Sequence, residues 1–197
     1  MAVKTKYDRA SIIQAAVKLV EEQGHAKYSV RNVAQALNSS TQPIYSHFQD
    51  SHEVYEEVLA EIKRRLVAHT RIEYTEFIFR NIGFGFTIFA RDYPNLFTAF
   101  FDDSGANREF VKEFLSDMRD ALDLDERFHL VPAVEKDKLL NKMWTLSYGY
   151  THLIIRGMVD DVSDEALQEF LLDAGTAIIK DTLTKAGLMH NEKPAFD

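Results

Sequence analysis

The side chains between Thr41 and His47 are those in this chain best suited to recognising another macromolecule. Thr41, Gln42, Tyr45, Ser46 and His47 bring hydroxyls, an amide, a phenol and an imidazole together, none with a fixed charge at neutral pH. Ile44 and Phe48 are apolar and four apart, so on a helix they share an inward face and leave those five polar groups outside. An amide can bond a base edge at two points, and hydroxyl or ring donors reach phosphate oxygens, so the face suits a DNA groove. Just upstream, Ser29 is a good helix cap, and Val30, Val33, Ala34 and Leu37 fall on one apolar stripe. Asn38-Ser39 then favours a turn, because Asn tolerates positive φ and Ser bonds back to local backbone. Ser40 is expected to cap a second helix that opens with Thr41, Gln42 and Pro43, where a proline is tolerated because first-turn N–H groups have no intrahelical acceptor. Two short helices across a tight turn are the minimal unit for groove reading.

Other chemistries find less support. There is no Cys, which excludes disulfides, thiolate metal sites and thiol redox sensing. No H-E-x-x-H, G-x-S-x-G, Walker or G-x-G-x-x-G pattern occurs, and His47 and His52, five apart, would lie on different helix faces. We expect no catalytic residues, no metal and no cofactor, and therefore no enzyme.

A second constellation is aromatic. The segment from Phe77 to Phe101 holds eight of the 14 Phe, and those at 77, 79, 84, 86 and 89 point around the whole of a helix. A single core face needs fewer, although aromatics at helical spacing are often plain core. Gly83 and Gly85 would open space beside them, and Trp144, Tyr148 and His152, four apart, would supply polar tips. The expected pocket is Phe84, Phe89, Phe97, Phe101, Trp144, Tyr148 and His152, its ligand apolar or aromatic, and cationic if the acidic surroundings matter.

The elements that must carry these groups read as helices throughout. A first helix over about 9–23 ends at Gly24, with Ile12, Ala16, Leu19 and Val20 on one face. A long helix over about 51–71 repeats Val54, Val58, Ile62 and Leu66 every four residues. Helices over about 74–91, 95–101 and 107–122 follow, with breaks at 92–94 and 102–105, and residues 123–133 read as a loop. Two final helices, about 134–155 and 163–185, carry Leu139, Met143, Leu146, Tyr150 and Leu153, and Leu167, Leu171, Ala174, Ile178 and Leu183. Gly149 and Gly175 inside them cost roughly 1 kcal/mol each against Ala, which suggests close helix contact. The tail beyond Gly187 is expected to be disordered.

Net charge is −8, but it is unevenly spread. Residues 1–49 hold six basic and three acidic residues, while the remaining 148 hold 17 and 28. Phosphate attraction acts within a Debye length, so a head of +3 can meet DNA while a body of −11 stays clear of it. The longest uncharged apolar stretch, 81–90, is far short of the roughly 20 residues a membrane span needs. The polar N-terminus differs from a signal peptide, so the expected location is the cytoplasm, without a membrane partner.

Residues 8–60 resemble the TetR family of transcriptional regulators. The family pattern of a first helix ending in Gly, a Thr/Ser-Val/Ile-Arg-x-Ile/Val-Ala helix and a closing Tyr-x-His-Phe is met by Gly24, by Ser29-Val30-Arg31-Asn32-Val33-Ala34 and by Tyr45-Ser46-His47-Phe48. Asp50-Ser51-His52-Glu53 then matches a capping box. The sequence departs from the pattern with Asn38-Ser39 where the family often has Gly-Val, and with no Lys after the cap. The resemblance implies an all-α fold, with a three-helix helix-turn-helix head over 1–50 joined by the long helix to a ligand-binding and dimerisation body over 51–190. It implies DNA contact through Ser29, Arg31, Ser40, Thr41, Gln42, Pro43, Tyr45, Ser46 and His47, and homodimerisation through the last two helices. The expected function is a repressor released from a palindromic double-stranded DNA operator by a small-molecule inducer. The alternative is a helical module that binds a partner protein or a small molecule without DNA.

Overall fold

The computed structural model describes residues 7–101 and 108–189, so the break expected at 102–105 and the tail beyond Met189 lie outside the described residues. Every regular element described is helical, as the periodicity requires: α1 (Arg9–Gln23), α2 (Val30–Ala36), α3 (Gln42–Tyr45), α4 (Ser51–Thr70), α5 (Ile78–Asp92), α6 (Pro94–Phe100), α7 (Arg108–Asp123), α8 (Ala133–Ile155) and α9 (Asp164–Lys185). No described helix is long and apolar enough to cross a membrane. The chain forms two compact units, residues 1–68 with 92–114, and residues 69–91 with 115–197. These differ from a division at residue 50 because α4 spends its apolar face inside the first unit.

In the first unit, Asp8 caps α1 reciprocally with Ser11: each side chain accepts from the other residue's backbone N–H, at 2.8 and 3.0 Å. At the far end Gly24 adopts φ 79° and its N–H returns to Val20 O, a conformation that favours glycine. Ser29 caps α2 by accepting from the Asn32 N–H at 3.1 Å. The α2–α3 turn passes through Asn38 at φ 51°, as an Asn there permits. Ile12, Ala16, Val17, Val20, Val33, Ile44, Val54, Val58, Ile62 and Leu66 are fully enclosed, so the stripes foreseen in α1 and α4 are buried, and that of α2 is buried except for Leu37, which is half-buried at its end. Asp50 caps α4 as expected, accepting from the His52 and Glu53 N–H groups, but the return bond of Glu53 takes the N–H of Gln49, one residue before the cap. A polar seam joins α1 to α4, with Arg65 reaching Gln14 at 2.7 Å and Glu61 taking Gln14 at 3.1 Å and both Arg64 and Arg65. Asn95 of α6 donates to Glu21 O, and Phe97, Phe100, Phe101 and Phe114 pack ring against ring.

In the second unit, α5 starts at Ile78 rather than near Tyr74. Asn81 holds the preceding turn, accepting from the N–H and hydroxyl of Thr75 and donating back to Thr75 O. From Phe84 to Ala90 every residue of α5 is buried. Gly85 does not open space: a Cβ there would lie 2.0 Å from His69 O, so the glycine lets α5 press directly on the backbone at the end of α4. Two cores result, one of Phe84, Ile88, Tyr150, Ile154, Leu167 and Leu171, the other of Phe79, Leu122, Phe128, Val131 and Leu139. The segment expected to be a plain loop contains a 3-10 turn, Glu126–Phe128, which seats Phe128 in the second core.

Candidate nucleic-acid interface

The surface of the two-helix unit is built by burying two residues and exposing the rest. Ile44 is fully enclosed and Phe48 almost so, which rolls α3 until Gln42, Tyr45 and Ser46 face solvent. Tyr45 is 49% exposed although it is a large aromatic. Arg31, Asn38, Ser39, Ser40 and Thr41 border one shallow depression between the end of α2 and the start of α3. Arg31 is the exposed cation of that rim, with Thr41 half-buried beside it. This arrangement brings a positive charge, three hydroxyls and an amide to one face of the unit.

Several of the groups singled out in the sequence have local partners. Ser40 does not cap α3: the cap position is Thr41, in helical conformation and without a side-chain bond, and its carbonyl accepts from Ile44 and Tyr45. The helix is therefore one residue later and only four residues long. Ser29 is committed to its cap, and the Ser46 hydroxyl donates to Pro43 O at 2.7 Å. His47 is half-buried, and its Nε2 lies 2.9 Å from the carbonyl oxygen of Tyr7. A carbonyl only accepts, so that nitrogen carries the proton. Pro43 is half-buried in the first turn.

Electrostatics around the head are set by Arg9. Its guanidinium donates to His47 O at 2.8 Å, pairs with Glu53 and Glu57 at 2.8 and 2.6 Å, and lies 4.3 Å above the Phe48 ring. The Gln49 N–H, with Arg9 second, holds the Glu53 carboxyl below its ordinary range. The Asp8 carboxyl is also lowered, chiefly by the Ser11 backbone N–H it caps. Asp8 and Glu53 are therefore held ionised by local donors.

The aromatic candidates are distributed between the units. Phe97 and Phe101 belong to the first unit, within the Phe100–Phe114 cluster. In the second unit, Trp144, Tyr148 and His152 form a half-buried ladder along α8, with centroid spacings of 5.2 and 4.4 Å, and Phe86 meets Trp144 edge-on. Phe89 is fully enclosed against His69, and Phe84 sits in the core beside Tyr150 and Leu171. Phe84 also lines a narrow crevice that reaches Gly83, Met143 and Gly175. An open cleft of about 540 Å³ lies elsewhere in this unit, walled by Ile78, Ile82, Met118 and Leu124, with Glu73, Asp117, Asp120 and Arg71 at its edge. None of the seven candidates lines that cleft. Its only sequence signal is a pair of apolar residues, Ile78 and Leu124, left 40% and 69% exposed, which a pattern search cannot tell from ordinary surface. Among the described residues no group of three or more His, Asp or Glu could hold a metal ion.

Known proteins resemble this chain in sequence pattern and in fold. Residues 12–58 fit the sequence model of the family described as bacterial regulatory proteins, tetR family. A tetR-family transcriptional regulator from Streptomyces coelicolor superposes with a TM-score of 0.64 at 15% identity, over 90% of this chain and 91% of that one. A putative TetR-family regulator from Rhodococcus sp. gives 0.60 at 17%, over 87% and 98%. A TetR variant from Acinetobacter baumannii AYE, crystallised in complex with minocycline, gives 0.53 at 13%, over 97% and 100%. At these identities the solved structures establish a shared fold. A search of curated proteins gives no significant match.

Proposed function

We propose that this chain, whose residues 12–58 fit the sequence model of the tetR family of bacterial regulatory proteins, is a homodimeric repressor released from a palindromic operator by a small ligand. The observation that carries the DNA part is the exposed face of α3, with Gln42 and Tyr45 open beside Arg31, lying inside the matched region. Thr41 and Gln42 read base edges, while Arg31, Ser40 and Tyr45 meet phosphates.

Dimerisation is supported by an unsatisfied surface on the last two helices. Leu153 and Phe170 are 45% and 40% exposed, and Gly149 is open, with nothing within 4 Å of where its Cβ would be. A glycine in mid-helix with no neighbour in its own chain has a use if another chain approaches there. A two-fold pair also doubles the number of bases read, which one four-residue helix cannot supply alone.

Ligand release rests on more distant support. The Acinetobacter baumannii protein of similar fold holds minocycline, and the second unit here offers both the α8 ring ladder and the open cleft. A ligand that binds one state of this unit better than another must change DNA affinity by the same factor that DNA changes its own. The test is selection of genomic fragments on the full-length protein. A short palindrome bound with steep salt dependence supports the proposal, and absence of any enriched sequence overturns it.

A further inference from the structure

The most specific non-local contacts in the head converge on two residues that do not face outward from α3. Tyr7 precedes α1, yet its hydroxyl donates to Leu37 O at the end of α2, 30 positions away. Its carbonyl accepts from Nε2 of His47, just beyond α3 and 40 positions away. Arg9 closes the loop by donating to the carbonyl of the same His47. His47 is thus held at its ring and at its backbone, and the turn before α3 and the turn after it are both tied to the start of α1.

This matters because α3 cannot set its own pose. It is four residues long and begins without a side-chain cap, whereas isolated helices shorter than about 12–15 residues are marginal in water. Burial of Ile44 and Phe48 fixes which face turns inward. It leaves tilt and height to whatever holds the two ends, and base readout fails when side chains are misplaced by about 1 Å.

We propose that Tyr7 and His47 are positioning residues for DNA recognition: together they clamp the ends of α3 so that Gln42 and its neighbours meet base edges, and His47 acts through this clamp instead of through a phosphate. The proposal rests on the DNA-binding reading above. It departs from the role that motif position gives His47, since the proton on Nε2 is spent inside the protein. Either charge state of the ring can keep that Nε2 proton, so the clamp survives protonation. A phosphate contact would strengthen as the ring became cationic.

The test uses the full chain carrying Tyr7→Phe, His47→Ala or His47→Gln, with the selected operator and a scrambled duplex of equal length. We expect Tyr7→Phe and His47→Ala each to weaken operator binding about tenfold, the loss of one hydrogen bond's worth of alignment. Scrambled-DNA affinity and the slope of log affinity against log salt should stay at wild-type values. His47→Gln, whose amide N–H can reach the Tyr7 carbonyl, should restore operator binding. Equal weakening on both duplexes with a shallower salt slope, or operator affinity that rises as the His47 ring protonates, would assign His47 to a phosphate and overturn the clamp. Operator affinity unchanged in both Tyr7→Phe and His47→Ala would overturn it as well. The clamp has its own readout without DNA, because the His47 imidazole nitrogens in an NMR spectrum should report the Nε2–H tautomer in the free protein. The opposite tautomer refutes the clamp even if DNA binds, and failure of the wild type to enrich any DNA refutes the DNA-binding reading while the tautomer is scored separately.

Discussion

Single side chains in the head divide into those that face solvent and those that hold the face in place. The Gln42 side chain is exposed, and in the proposed reading its amide discriminates between bases. Gln42→Ala should relax preference at one base pair by about 1–3 kcal/mol, read from binding to a randomised operator library. Tyr45→Phe removes one donor and should weaken all sequences alike. Unchanged preference in the Gln42 variant would remove it from the reading set. Glu61 belongs to the second group, accepting from Arg64, Arg65 and Gln14 with only 12% of its side chain exposed. The Arg64 bond, against an opposing cost of burial and with help from Gln14 and Arg65, lowers its carboxyl from 4.5 to about 2. A depressed carboxyl stabilises the folded state in full above its ordinary range and loses that contribution as pH falls through the folded value. Glu61→Gln should therefore cost on the order of 1–3 kcal/mol at neutral pH. The gap in melting temperature between variant and wild type should close as pH is lowered from about 4.5 towards about 2.

At the scale of elements, glycines in helices mark where backbones meet. Gly85 sits against the carbonyl of His69 with no room for a Cβ, and the obstacle is backbone, which cannot swing aside. Gly85→Ala should destabilise the protein by roughly 1–3 kcal/mol or more in chemical denaturation, because α5 must lift from the end of α4. Gly83, two residues earlier and with nothing within 4 Å, is the control. Gly83→Ala should be neutral or stabilising by up to about 1 kcal/mol, since it gains helix propensity without a clash. Equal effects at the two positions would mean that contact with α4 does not govern this helix.

For the whole molecule, the decisive question is which face of α8 and α9 lies inside the chain. Leu171 is 5% exposed in the chain's own core and a Cβ at Gly175 would lie 3.1 Å from Met143 Cε, so charge at either would damage the folded subunit. Leu153 lies on the open side with Gly149 and Phe170. Leu153→Arg should leave the melting of the subunit nearly intact but bury an unpaired charge in a dimer, where such a charge costs several kcal/mol. Sedimentation at micromolar concentration should then show a dimeric wild type and a monomeric variant. A monomeric wild type would remove the dimer from the proposed mechanism.

Local chemistry wrote much of this protein into its sequence. The four-residue repeat of Val54, Val58, Ile62 and Leu66, the Ser29 cap, the Gly24 stop and the Asn38 turn each depend on neighbours a few positions away, and each stands where the pattern puts it. The inward pair Ile44 and Phe48 was legible for the same reason, and so was the outward placement of Gln42, Tyr45 and Ser46, whereas Thr41 and His47 are half-buried. Tertiary structure decided what depends on distant partners. No local rule pairs Tyr7 with Leu37 and His47, presses Gly85 onto His69, or draws Phe128 into a core from an apparent loop. It also decided the surroundings of the aromatic residues, because helical period tells which side of α5 or α8 a ring occupies but not which helix lies opposite. Periodicity is a property of one helix, whereas a pocket, a clamp and an interface are properties of several packed together.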